Sequence, residues 1–366
     1  MIEYVALGLG LIYIGFLIYE KISLVRQRQR IPHVIHVNGI RGKSTVTRLI
    51  GAVLRDAGYK TMTKVTGTKP IIIDPFGNEI PIRRLGPANI REQIKMVRLA
   101  AKYGADILVI ECMAIKKEYQ AVTQNNMLNA DIGIITNVRK DHQEEFGHSM
   151  ESIVEALAET IPAKGRLYVF EETQNQFEKH IENKQAEVRI VSHFEGDETI
   201  DFYPENIAIA LRIASDFGIA KEDALASMRR YHRDIGSLSI YHWDDTYLVN
   251  GFAINDVDSL HHTYVRLQSL SVLKGRDVTI LLNNRIDRPR RAMEHIEFLK
   301  KIQPRKVMVV GGFYRQVKAA LDQTEVTPYH HSAQLDQPYV FAIGNIRKYG
   351  YQVIRYAEAK GTKYYG

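Results

Sequence analysis

Residues 33–57 run from an apolar stretch (33–37) through a glycine-bearing heptapeptide into an amphipathic stretch (44–57). No other feature constrains the fold as tightly. The heptapeptide is Gly39-Ile40-Arg41-Gly42-Lys43-Ser44-Thr45. It sits where a strand hands over to a helix, the context a phosphate-binding loop requires. Gly39 and Gly42 let the backbone curl so that its N–H groups turn toward phosphate oxygens. The start of the helix adds positive dipole at the same spot. Lys43 then reaches the β- and γ-phosphates, and the Ser44 hydroxyl can ligate Mg2+. The usual loop carries a further glycine five residues before the second one. That position holds Val37, so the loop is a shortened form and does not fit an ordinary P-loop kinase or GTPase.

The rest of the chain alternates short apolar runs with amphipathic stretches. Runs 107–110 and 132–136 have no interruption, as expected of strands buried on both faces. Further strands are expected at 167–170, 247–249, 278–282, 306–310 and 339–343. Helices are expected at 89–103, 152–160, 203–217, 220–230, 258–268, 289–301, 313–321 and 346–359. This order predicts an α/β fold with parallel sheets, ligands lying at the carboxyl ends of strands. Around 233–239 a helical pair gives way to a new α/β run. The chain's 366 residues suffice for two domains at roughly 150 residues each. The division expected is a membrane anchor with basic flank (1–30), a P-loop-type ATP-binding domain (31–235) and a smaller Rossmann-like α/β domain (236–366).

The anchor rests on residues 4–19, sixteen in a row without a charge. As a helix they span about 24 Å, slightly short of a hydrocarbon core. Lys21, Arg26, Arg28 and Arg30 follow the run, which places the body of the protein in the cytoplasm by the positive-inside rule. A buried core helix is the alternative. Composition excludes other classes. With 45% hydrophobic and 25% charged residues the chain is not disordered, and one cysteine, Cys112, excludes a disulfide scaffold and suits a reducing compartment. The net charge of +7 is diffuse and no basic block is interleaved with aromatics, so no nucleic-acid partner is expected.

The shortened loop resembles that of the Mur ligase superfamily of ATP-dependent amide ligases. Glu111, closing the run 107–110, resembles that superfamily's Mg2+ carboxylate; one carboxylate beside a phosphate loop suits a cation that keeps water and phosphate oxygens. Asn137, Asp141 and His142, after the run 132–136, resemble its segment for metal and substrate. His142 is then a Mg2+ ligand, with Asn137 and Asp141 shaping the site.

A narrower resemblance covers nearly the whole chain. The segment NGIRGKSTVTRL (38–49) is similar to that of the ligase subunit of poly-γ-glutamate synthases. So are Thr66-Gly67-Thr68, Gly86-Pro87-Ala88-Asn89, Glu111-Cys112-Met113-Ala114, Val249-Asn250-Gly251-Phe252-Ala253 with Asn255-Asp256, and Gly344-Asn345-Ile346. The resemblance implies ATP and Mg2+, with a carboxylate of glutamate or of the growing chain activated as an acyl phosphate and captured by an amine. It implies a nucleotide cradle of Gly39, Arg41, Gly42, Lys43, Ser44 and Thr45, with Asn206 facing adenine or else capping its helix. Asn255 and Asp256 fall near nucleotide or substrate. Arg285 and Arg288 hold a carboxylate, or form a solvated basic loop. Glutamate, poly-γ-glutamate and further membrane subunits of an oligomeric synthase and export complex are the partners implied. The alternatives are another acid or amine on the same fold, or a nucleotide-binding subunit with reduced catalysis. Two departures stand out. Residues 151–163 hold no lysine for the carbamoylated position of many Mur ligases, so either Glu155 or Glu159 substitutes or the second metal is held differently. Ser239 replaces the linker arginine.

Overall fold

The structure is a computed structural model that describes residues 2–84, 86–139, 149–197, 200–254 and 256–365. Among the calls above, Asp141, His142 and Asn255 lie outside the described residues. The chain forms two compact units, Met1–His232 and Arg233–Gly366. The division falls three residues before the position expected from sequence.

The first unit is built on eight strands: β1 (His33–Asn38), β2 (Thr61–Val65), β3 (Ile71–Ile73), β4 (Glu79–Pro81), β5 (Ile107–Glu111), β6 (Ile132–Ile135), β7 (Arg166–Phe170) and β8 (Glu187–Val191). Their order is β4-β3-β2-β5-β1-β6-β7-β8. The six strands from β2 to β8 in that order pair in parallel, and β3 and β4 add an antiparallel edge. Helix α2 (Lys43–Asp56) and the helices Pro204–Asp216 and Lys221–Arg229 cover one face. Helix α3 (Glu92–Tyr103) covers the other. Successive residues of a strand point to opposite faces. Accordingly Ile107 and Val109 pack under α2, while Leu108 and Ile110 pack under α3. Two covered faces are the reason these runs are apolar at every position.

Helix α1 (Ile2–Arg28) has two parts. Its apolar stretch is exposed, with Leu9, Ile12 and Phe16 all more than half accessible. The buried-core alternative therefore fails; by length and composition this helix could cross a membrane. Its last two turns are docked. Glu20 accepts from Arg91 (2.7 Å) and Arg98 (3.3 Å) of the α3 segment. Leu24 is buried, and Arg28 donates to the Leu128 carbonyl and to Asp131, both at 2.7 Å.

In the second unit seven strands follow the order β13-β12-β11-β14-β10-β9-β15. They are β9 (Ser239–Trp243), β10 (Thr246–Asn250), β11 (Thr279–Asn284), β12 (Lys306–Gly311), β13 (Glu325–Pro328), β14 (Tyr339–Gly344) and β15 (Thr362–Tyr365). β10 to β13 and β14 run parallel, and β9 and β15 are antiparallel additions. β9 begins at Ser239, the residue read from sequence as the linker position. Ser239 is buried in it and its hydroxyl accepts from Asn250 Nδ2 at 3.2 Å, so here the residue pins two strands.

Candidate active site

The central strand β1 has β5 on one side and β6 on the other, and the chain reaches them by connections of opposite direction. The carboxyl ends of these strands form the crevice in which open α/β sheets take ligands. The heptapeptide leaves β1 at this point. Gly39 and Gly42 hold φ of +124° and +82°, left-handed values that favour glycine. A side chain at Gly39 would strike Thr136, and one at Gly42 would strike Asn206. Thr136 and Asn137, at the end of β6, brace the loop from below. Thr136 Oγ1 and Asn137 Nδ2 donate to the Arg41 carbonyl at 2.6 and 3.0 Å, and the Arg41 N–H donates to Asn137 Oδ1 at 3.0 Å. Asn137 thus joins the site as a brace of the loop.

Helix α2 begins at Lys43 without a side-chain cap and with no acidic residue in its first turn. Such an end presents unsatisfied N–H groups and positive dipole to an anion. Lys43 folds back over the loop, donating from Nζ to the Gly39 and Ile40 carbonyls at 2.7 and 3.2 Å. Its ammonium is held over the loop at the start of α2. Ser44 Oγ donates to Glu111 Oε1 at 3.0 Å, and the Thr66 N–H donates to Glu111 Oε2 at 2.5 Å. Glu111 is buried at the end of β5. A hydroxyl and a buried carboxylate in contact at a helix start are hard oxygen ligands and fit Mg2+. Among the described residues no group of three His, Cys, Asp or Glu side chains assembles for a metal.

Asn206 lies in the first turn of Pro204–Asp216, whose cap residue is Tyr203, so the capping alternative is set aside. Its side chain packs against Gly42 and donates to Asp201 Oδ2 at 2.8 Å. Glu155 forms a surface ion pair with Lys117 at 2.9 Å. Cys112 is buried, which pushes its thiol up to about 11 and leaves it inert.

Sequence reasoning passed over Lys64. It is fully buried in β2, donates from Nζ to Gln93 Oε1 at 2.7 Å and lies 3.4 Å from Glu92 Oε2. Gln93 Nε2 in turn donates to the Glu111 carbonyl at 3.2 Å. Burial pulls the ammonium down to about 8, opposed by Glu92. The signal was a lysine inside an otherwise uncharged strand.

In the second unit the switch point falls between β11 and β14. Asn283, Asn284, Arg285, Arg288, Arg291 and His295 surround a small crevice there. Arg285 forms a bidentate pair with Asp287, and Arg288 precedes Pro289 at the start of the helix Pro289–Ile302. Asp256 is buried and caps the helix Val257–Ser269, accepting from the Ser259 N–H at 2.7 Å. Its visible work is to hold that helix.

Two α/β units, the first with a shortened phosphate loop braced by Thr136 and Asn137 and a hydroxyl–carboxylate pair at the helix start that follows, have the architecture of a Mur-type ligase. Residues 37–213 match the Mur ligase middle domain, and residues 236–360 match the poly-gamma-glutamate synthase CapB C-terminal domain. The chain is 33% identical to the capsule biosynthesis protein CapB of Bacillus anthracis over 324 residues, covering 84% of this chain and 69% of that one. It is 32% identical to the PGA synthase CapB of Bacillus subtilis over 325 residues, covering 84% and 82%. The fold is similar to that of folylpolyglutamate synthase from Thermotoga maritima, with TM-score 0.66, 11% identity and coverage of 95% and 97%. It is also similar to MurF from Acinetobacter baumannii, with TM-score 0.64, 15% identity and coverage of 91% and 79%. The chain belongs to the poly-γ-glutamate synthase CapB family.

Proposed function

We propose that this protein is the ATP-dependent ligase that forms γ-glutamyl amide bonds in poly-γ-glutamate synthesis. The observation that carries the reading is the braced loop with Lys43, Ser44 and Glu111 at one helix start, in a chain of this family. A carboxylate is a poor electrophile until one oxygen becomes a leaving group. In the proposed course a glutamyl carboxylate oxygen attacks the γ-phosphorus of ATP and ADP departs. The amine of the next residue then attacks the acyl carbon, loses a proton, and phosphate leaves. The protein's share is position and electrostatics. The loop N–H groups and the start of α2 receive the phosphates, and Lys43 offsets charge on the transferring group. Ser44 and Glu111, with His142, would hold Mg2+, which supplies Lewis-acid polarisation of phosphoryl oxygens when bound. Asn137 holds the loop in register, and Asp141 is assigned by family resemblance to shape the site with it. Arg41, Thr45 and Asn206 complete the nucleotide side of the first unit, and Asn255 and Asp256 of the second unit are assigned to nucleotide or substrate by family resemblance alone. Arg285 and Arg288 suit a substrate carboxylate through their planar forks.

The exposed stretch of α1 supports a single-pass anchor in the cell membrane with both units in the cytoplasm. One helix makes no export path, which supports further membrane subunits as partners. The test is phosphate release from ATP with Mg2+ by the detergent-solubilised chain, alone and with its membrane partners, with D- or L-glutamate and short γ-linked oligomers. Stimulation by a glutamyl species that falls at least about 100-fold in Lys43→Ala supports the reading. Turnover that ignores every glutamyl species in both preparations would sink it.

A further inference from the structure

A cavity of the first unit lies outside the site described. It measures about 160 Å3 and is lined by Arg48, Arg55, Asp56, Glu79, Arg230 and His232 among others. That is far above the ~10–15 Å3 that one water requires, so a multi-atom ligand fits. Three elements build it. Arg48, Arg55 and Asp56 share one face of α2, the start of β4 supplies Glu79, and the segment after Lys221–Arg229 supplies Arg230 and His232.

The charges there are partly spent. Arg48 Nη1 donates to Glu79 Oε1 at 2.6 Å and to the His232 carbonyl at 2.9 Å. Arg230 Nη2 donates to Asp56 Oδ2 at 2.7 Å. Arg55 donates to the Thr61 carbonyl at 3.4 Å, and burial holds its guanidinium below the usual value. Glu79 and Asp56 line the cavity with the three guanidiniums, and Asp74 acts on Arg55 from outside the lining, so the unmet demand rests on Arg48 rather than on an excess of charge. Arg48 is 5% exposed, and its Nε is buried without a hydrogen-bond partner. A buried charged donor left unsatisfied is costly and calls for an acceptor. Arg55 stands twelve residues beyond Lys43 on α2, about 18 Å of helical rise, so the cavity is separate from the phosphate cradle.

We propose that this cavity is an anion site that takes a small oxyanion, carboxylate or phosphate, on Arg48, Arg55 and Arg230. Planar guanidinium forks match either group bidentately. The assignment does not depend on the ligase reading.

The test is calorimetric titration of the full chain in detergent with inorganic phosphate, L-glutamate and a γ-linked diglutamate. ADP and Mg2+ are present throughout, so that the phosphate loop is filled. The result expected is binding of at least one probe that weakens about tenfold or more in Arg55→Gln and in Arg230→Gln. ADP affinity, measured separately, stays within about twofold in both variants. Which probe binds identifies the source as phosphate or carboxylate. Both variants keep side-chain bulk and leave the buried Arg48 in place, and their thermal unfolding confirms the fold. No binding by any probe, or binding equal in the variants and the parent, overturns the proposal.

Discussion

At the scale of single residues, the site depends on what is missing at Gly42. Its φ of +82° and the side chain of Asn206 beyond it leave no room for a Cβ. Gly42→Ala is expected to destabilise the first unit by about 1–3 kcal/mol and to weaken nucleotide binding, because the loop must open away from Asn206. Denaturant unfolding and ADP titration would read the two effects, and an alanine variant that binds ADP as tightly as the parent would contradict the geometry. Lys43, Ser44 and Glu111 were legible from the sequence because each stands next to a run of clear period. Lys64 was not singled out, since its strand alternates threonine with apolar residues and a lysine there reads as one more solvent-facing polar residue. Asn206 was legible as a position but not in its contact, because the partner, Gly42, lies 164 residues away in the chain.

At the scale of elements, two buried histidines make stability depend on pH. His36 in β1 contacts Gln124 Oε1 at 2.9 Å, and burial lowers it from the ordinary 6.5 to about 4. His295, in the helix Pro289–Ile302, is lowered to about 4 by burial and by Arg291. Above pH 6.5 both are neutral whether folded or unfolded, so they add no pH dependence. Between 6.5 and 4 the unfolded chain takes up the protons and the folded chain does not. Stability therefore falls as pH falls through that window, by on the order of 3 kcal/mol per histidine at pH 4. Unfolding midpoints at pH 7.5 and 5 should show the loss, and His36→Gln should flatten the slope for the first unit. The central strands were plain from sequence because coverage on both faces makes them continuously apolar. The edge strands were not. β4 is exposed at all three positions and β15 at three of four, so their residues carry no core pattern.

At the scale of the whole molecule, α1 joins an exposed apolar stretch to a docked base. Deleting residues 2–19 keeps Glu20, Leu24 and Arg28, and so keeps the clamp on Arg91, Arg98 and Asp131. The truncated chain is expected to leave the membrane fraction without detergent and to bind ADP as the full chain does. Sedimentation with membranes and nucleotide titration check the two halves of that statement, and a truncated chain that still pellets with membranes would show another attachment. The amino-acid sequence by itself determined the α/β class, the glycine-bearing loop between strand and helix, the carboxylate that closes the next central strand, and the apolar segment. Each is a local pattern, set by the period of a helix or strand and by residues a few positions apart. The tertiary structure alone decided that Asn137 and Thr136 brace the loop, that Asn206 closes on Gly42, that Ser239 belongs to a strand, and that three arginines enclose a cavity. Those facts depend on which strands and helices become neighbours, and that is settled by burial across long stretches of chain.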